Sequence, residues 1–175
     1  MPVTRLNHAV LYVREVERSV AFYTDVLGFR RVDMTPDGFR GAAFLQAPGS
    51  TNDHDLGVFQ MGAGAGPSAA GRATVGLYHL AWEVDTLAEL ERLAGELSAA
   101  GALVGSSDHG TTKSLYAQDP DGLEFEVAWI VPADRLDDAA RDARTRIGAL
   151  DLEREKRRYG AETRGGVGIS HGLPA

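Results

Sequence analysis

The apolar positions of residues 5–13 (RLNHAVLYV) lie in a segment rich in β-branched and aromatic residues and predict a strand. Val16, Val20, Tyr23 and Leu27 then recur at helical spacing, and Gly28 supplies the stop. Short strand-like runs follow at 29–34, 40–47 and 54–61, separated first by Asp37-Gly38 and then by Pro48-Gly49-Ser50 with Asn52-Asp53. The stretch GAGAGPSAAGRAT, residues 62–74, reads by composition as a flexible linker or surface loop, which sets the linker at 62–75. The order then repeats. Residues 76–84 (GLYHLAWEV) predict a strand, Leu87, Leu90, Leu93 and Leu97 an amphipathic helix ending near Gly101, and runs at 102–106, 114–118 and 123–131 further strands. Asp119-Pro120-Asp121-Gly122 reads as a turn closing a hairpin.

The chain therefore holds two β-α-β-β-β modules, 5–61 and 76–131, offset by 71 residues as measured from His8 to His79. Each module has one open sheet face. The expected fold is α+β, with both modules curling into a mixed sheet round a shared cavity, as a single domain over 1–131. Residues 132–175 form a C-terminal extension. In it Leu136, Ala140, Ala143, Ile147 and Leu150 share one helical stripe, predicting a helix that docks on its own domain, covers the cavity or contacts a second copy. Lys156, Arg157 and Arg158 end that helix, where the dipole favours positive charge, and the Gly-rich residues 160–175 are expected to be mobile.

Composition narrows the chemistry. Lys plus Arg is 18 against 25 Asp plus Glu, a net charge of −7 without a basic stripe, which argues against nucleic acid and anionic membranes as partners. No apolar run approaches a membrane span, and Met1-Pro2-Val3-Thr4-Arg5 lacks the apolar core of a signal peptide, so a cytoplasmic protein is expected. There is no cysteine, which removes disulfides, thiolate metal sites and a thiol nucleophile together. Any metal must be held by His, Asp and Glu.

Of the five histidines, His8 and His79 occupy the same place in the two repeats, with Leu6 and Val10 beside one and Leu77 and Ala81 beside the other. An unpaired imidazole among apolar neighbours is costly, and a shared metal removes that cost. Glu124 and Glu126 lie two apart on the last strand, hence on one face, and spacing alone does not choose between them or exclude an edge strand with a solvated acidic face. Two histidines and one carboxylate on one face of an octahedron leave three positions for a bidentate substrate and dioxygen, as in non-haem Fe(II) oxygenases; Mn(II), Ni(II) and Zn(II) are also compatible.

The double module with a histidine in each first strand resembles the vicinal oxygen chelate superfamily, which includes glyoxalase I, fosfomycin-resistance enzymes, bleomycin-binding proteins and type I extradiol dioxygenases. The run His109, five residues, Leu115-Tyr116, two residues, Asp119-Pro120-Asp121-Gly122, three residues, Glu126 is similar to the extradiol ring-cleavage signature, of the small one-domain, catechol 2,3-dioxygenase-like class. Ser107, two before His109, departs from the residue type usual there. The resemblance selects Glu126 as third ligand and implies Fe(II), or Mn(II), held by His8, His79 and Glu126. It also implies cleavage of a catechol beside its hydroxyls, with both dioxygen atoms incorporated, to a muconic semialdehyde. His54 would be the acid–base group, and Tyr116 and His109 would hydrogen-bond the chelated oxygens. Phe44, Leu80 and Trp129 are candidate walls for the ring.

His54 also falls near the repeat counterpart of Glu126, since 8 to 54 spans 46 residues and 79 to 126 spans 47, so a fourth ligand is an alternative role. His171 has no such support. Two other functions compete: a dioxygen-independent lyase, isomerase or transferase of the same superfamily, and a small-molecule-binding protein of the bleomycin-sequestering type. Glyoxalase-like sites usually add a second carboxylate from the first repeat. The amphipathic C-terminal stripe makes a homodimer or higher homo-oligomer the expected state.

Overall fold

Parallel pairing between the first and last strand of each repeat organises both halves of the chain. The computed structural model describes residues 2–3, 5–34, 40–70 and 73–166. Its elements run β1 (Ala9–Val13), α1 (Val16–Asp25), β2 (Arg30–Val32), β3 (Ala42–Gln46), β4 (Leu56–Gln60), β5 (His79–Glu83), α2 (Leu87–Ala99), β6 (Leu103–Asp108), β7 (Thr112–Gln118), β8 (Glu124–Ile130), α3 (Asp138–Ala143) and α4 (Leu152–Tyr159). The β-α-β-β-β order is present twice, in two four-stranded mixed sheets, β1-β4-β3-β2 and β5-β8-β7-β6. The chain divides into two compact units, Met1–Ala69 with Asp119–Gly122, and Ala70–Gln118 with Leu123–Ala175. The Asp37-Gly38 punctuation and His171 lie outside the described residues. Among the described residues no helix is long and apolar enough to cross a membrane.

In the first unit, Val16, Val20 and Tyr23 turn the buried face of α1 inward, as their spacing predicts. Gly28 ends the helix with φ +74°, and the Phe29 N–H reaches back to the Tyr23 carbonyl, a closure that requires a left-handed residue. Leu11, Val13, Ala43, Leu45, Leu56 and Val58 form the covered face of this sheet. The strand expected over 5–13 is shorter: β1 begins at Ala9, and His8 immediately precedes it. Leu6 is 76% and Val10 52% exposed, so the apolar neighbours expected beside His8 do not enclose it. Arg14 closes the unit on the 119–122 turn, its N–H and guanidinium both donating to Asp121 at 2.9 and 2.7 Å.

In the second unit, Thr86 caps α2 by accepting from the Glu89 N–H, and Leu87, Leu90, Leu93 and Leu97 are buried along one stripe. Phe125, Val127 and Trp129 of β8 share the covered face of the sheet. Because β8 lies between β5 and β7, its glutamates do not belong to an edge strand.

The C-terminal segment differs from expectation. One helix over the Leu136–Leu150 stripe is replaced by a 3-10 turn (Ala133–Arg135), α3 and α4. Gly148 instead pairs with Asp108 through two backbone hydrogen bonds of 2.9 Å, and Ile147 is 80% exposed. Gly110, at φ +74°, lets the β6–β7 turn press against α3; a Cβ there would sit 2.4 Å from the Ala140 carbonyl oxygen. Residues 161–166, expected to be mobile, are tied down: Ala161 accepts from the Ala88 N–H, Thr163 from the Trp129 indole, and the Gly165 and Gly166 N–H groups donate to Asp85 and Ile130.

What holds α4 is a buried charge network. Lys113, fully buried on β7, lies 2.5 Å from Asp108 and 3.0 Å from Glu155, itself fully buried on α4. Arg154 pairs with both carboxylates. Burial works against the Asp108 charge, but hydrogen bonds from Lys113 and the Gly110 N–H hold its carboxyl below the usual range. Removing Lys113 leaves the Asp108 and buried Glu155 carboxylates with only the exposed Arg154 between them. Lys113→Met is expected to lower the urea-unfolding free energy by about 3–5 kcal/mol, and the Lys113→Met/Glu155→Leu double variant by much less.

Candidate functional site

Antiparallel pairing of β7 with β8 sets Tyr116 opposite Glu126, Gln118 opposite Glu124 and Ser114 opposite Ala128. The parallel pairing of β5 sets His79 opposite Glu124 and Ala81 opposite Glu126. With alternating side chains, His79, Glu124, Glu126, Tyr116 and Ser114 share one face, opposite Phe125, Val127 and Trp129.

On that face His79 Nε2 lies 3.2 Å from Glu126 Oε2, one step diagonal to its register partner Glu124. The other Glu126 oxygen accepts from the Ser114 hydroxyl at 2.5 Å. His79 Nδ1 is buried without a hydrogen-bond partner among the described residues. The Tyr116 ring stands edge-on to His79, centroids 6.0 Å apart. Tyr116 OH lies 2.9 Å from His109 Nε2, and Ser107 Oγ lies 2.8 Å from the same nitrogen. Five residues the sequence singles out therefore converge here: His79, His109, Tyr116, Glu126 and the atypical Ser107.

In the first unit the His8 and His54 rings lie against each other, tilted by 38° with centroids 4.5 Å apart. His8 is exposed and its Nδ1 lies 2.8 Å from the Asn7 side-chain oxygen. His54 is buried, with Nδ1 3.0 Å from the Asp53 carboxylate and the Phe44 ring edge-on at 5.1 Å.

The strand registers correct one reading of the repeat. Glu126 pairs with Ala81, whose counterpart Val10 pairs with Gly57. Gly57, not His54, is therefore the first-module counterpart of Glu126, and it carries no carboxylate. By the same register Phe44, opposite Gly57, takes the place of Tyr116. The wall assignments change too. Leu80 pairs with Phe125 and Trp129 is fully buried with its indole bonded to Thr163, so both lie on the face away from Glu126. Phe44 keeps its place beside His54.

The donors fit a divalent first-row ion. Adjacent donors with bonds of about 2.1 Å lie about 3 Å apart, close to the His79–Glu126 spacing, and the set is imidazole and carboxylate without sulfur. Among the described residues there is no group of three or more His, Asp or Glu side chains that could hold a metal. His8 belongs to the first unit, and His79 and Glu126 to the second.

Residues 5–127 match the Glyoxalase/Bleomycin resistance protein/Dioxygenase superfamily. The chain belongs to this superfamily. It is 31% identical over 134 residues to the catechol-2,3-dioxygenase of Bacillus subtilis (strain 168), covering 71% of this chain and 41% of that protein. It is also 30% identical over 134 residues to the lactoylglutathione lyase of Salmonella typhimurium, covering 70% of this chain and 90% of that protein. The chain thus spans about two fifths of the dioxygenase relative. The crystal structure of a glyoxylase/bleomycin resistance protein/dioxygenase domain from Frankia sp. EAN1pec has the same fold, with TM-score 0.60, 22% identity and coverage of 73% and 92% of the two chains.

Within this superfamily fold the sequence reading misses Ser114, Asn7 and Asp53, the residues touching Glu126, His8 and His54. Ser114 had a signal: it lies two residues before Tyr116, and so on the same face. Ser114 is fully buried and donates to a carboxylate, so Ser114→Ala is expected to cost about 1.5–3 kcal/mol in urea unfolding.

Proposed function

We propose that this protein is an Fe(II)-dependent extradiol dioxygenase that opens a catechol ring beside its two hydroxyls and incorporates both dioxygen atoms, giving a muconic semialdehyde. The observation that carries this reading is the Tyr116–His109 pair lying on the same sheet face as the His79–Glu126 pair. The dioxygenase relatives add support. His8, His79 and Glu126 would hold the ion; Mn(II) suits the same donors. Held there, the ion would supply Lewis acidity that lowers the pKa of the catechol hydroxyls, and redox chemistry toward dioxygen. Tyr116 and His109 orient the chelated oxygens and exchange a proton with them. The His54 ring, oriented by Asp53 at Nδ1, holds or gives a proton as acid–base group at Nε2. Phe44, edge-on to His54, supplies apolar surface for the aromatic ring.

A dioxygen-independent lyase is the second reading, favoured by the 90% coverage of the lactoylglutathione lyase relative. Gly57 weighs against it, since the position matching Glu126 offers no second carboxylate.

A dioxygen-electrode trace on the full chain, reconstituted anaerobically with Fe(II) and mixed with a panel of small catechols, separates the two. Stoichiometric uptake with a yellow product is expected; bound iron with neither uptake nor colour for any catechol overturns the dioxygenase reading. Glu126→Gln is expected to lower bound iron at least about tenfold at equal free Fe(II), measured by elemental analysis after anaerobic dialysis.

A further inference from the structure

Ser107 departs from the usual residue type of the ring-cleavage stretch, and it is buried, at 4% exposure. Its Oγ lies 2.8 Å from His109 Nε2 and 3.2 Å from Tyr116 OH, which are themselves 2.9 Å apart. Three polar atoms thus close a triangle. A serine hydroxyl has one proton, and the 3.2 Å contact lets Ser107 give it to the Tyr116 oxygen. Toward His109 the same oxygen then accepts, an arrangement that calls for the imidazole proton on Nε2. The Tyr116 oxygen accepts within the triangle. Its own hydrogen is left for a partner outside, on the face shared with Glu126 and His79.

Without the Ser107 hydroxyl, His109 Nε2 and Tyr116 OH would face each other alone. A neutral imidazole can then take the phenol proton as an acceptor, and Tyr116 has none to offer a substrate oxygen.

We propose that Ser107 is a positioning residue. Its hydroxyl holds His109 in the Nε2–H tautomer and so frees the Tyr116 O–H for an oxygen of the bound diol. The tautomer half stands on this geometry; the substrate half rests on the catechol reading above.

Two measurements test the halves separately. In the iron-free full chain with 15N-labelled histidine, the His109 ring nitrogens are assigned with a His109→Gln variant, and their shifts report which carries the proton. Wild type and Ser107→Thr, which keeps a hydroxyl, are expected to be protonated at Nε2. Ser107→Val, matching threonine in shape without the hydroxyl, is expected to move His109 toward the Nδ1–H form. With Fe(II) and a catechol, Ser107→Val is expected to lower kcat at least about tenfold with KM changed less than about twofold, and Ser107→Thr to recover most of the loss.

A wild-type His109 protonated at Nδ1 overturns the proposal however the variants fold, and so does a Ser107→Val tautomer identical to wild type. A shifted tautomer with unchanged kcat overturns the substrate half. A shifted tautomer in a protein whose iron-loaded wild type cleaves no catechol overturns the catechol reading, and the substrate half with it, but supports the tautomer role of Ser107.

Discussion

The register of β7 against β8 is the constraint on which the candidate site depends. Side chains alternate across a strand, so a slip of one residue would turn Glu126 to the face held by Phe125, Val127 and Trp129. Each of those three is at most 2% exposed, and exposing one such side chain costs about 1.5–3 kcal/mol. The Asp119–Gly122 turn sets the count. Asp119 accepts from the Gly122 N–H with its carbonyl and from the Asp121 N–H with its carboxylate, and Gly122 adopts φ +81°. Turn chemistry and apolar burial therefore agree on one alignment, and that alignment places Tyr116, Ser114 and Glu126 together.

This explains which parts of the site are legible in the sequence. His109, Tyr116 and Glu126 belong to one hairpin and its lead-in, where linear spacing converts directly into position on a face. Trp129 was legible in the same way, since three residues from Glu126 on a strand is the opposite face. His54 is different. Counting residues from His8 puts it near the counterpart of Glu126, but the count does not show where β4 comes into register with β1. That pairing starts with Ala9 opposite Leu56, which gives the position to Gly57.

The C-terminal segment shows where a periodic pattern loses to tertiary contacts. The Leu136–Leu150 stripe has helical spacing, yet backbone pairing of Gly148 with Asp108 interrupts it, and the chain starts a new helix capped by Asp151. Nothing in the sequence marks Lys113 as buried, because a lysine in a strand ordinarily points to water. Its burial follows from partners distant in the chain: Glu155 on α4, and Tyr159, whose ring centroid lies 5.7 Å from its ammonium group. Such a pair is a weak source of net stability. Its geometric demand is strong, because α4 must present Glu155 to that one lysine.

The two modules share a register but not a chemistry. Where the second carries Tyr116 opposite Glu126, the first carries Phe44 opposite Gly57; where the second has Ser114 opposite Ala128, the first has Ala42 opposite Phe59. The polar, proton-bearing groups of this sheet face thus belong to the second module. The first supplies aromatic surface, with Phe44 and Phe59 edge-on at 5.9 Å, and the His8–His54 pair at one end of its strands. A carboxylate at the Gly57 position would put a charge where an added Cβ lies 3.4 Å from the Phe44 ring. Burying that charge against Phe44 and Phe59 without a partner is costly. The divergence of the modules therefore leaves the first sheet with an aromatic face and no carboxylate at the place that Glu126 holds in the second.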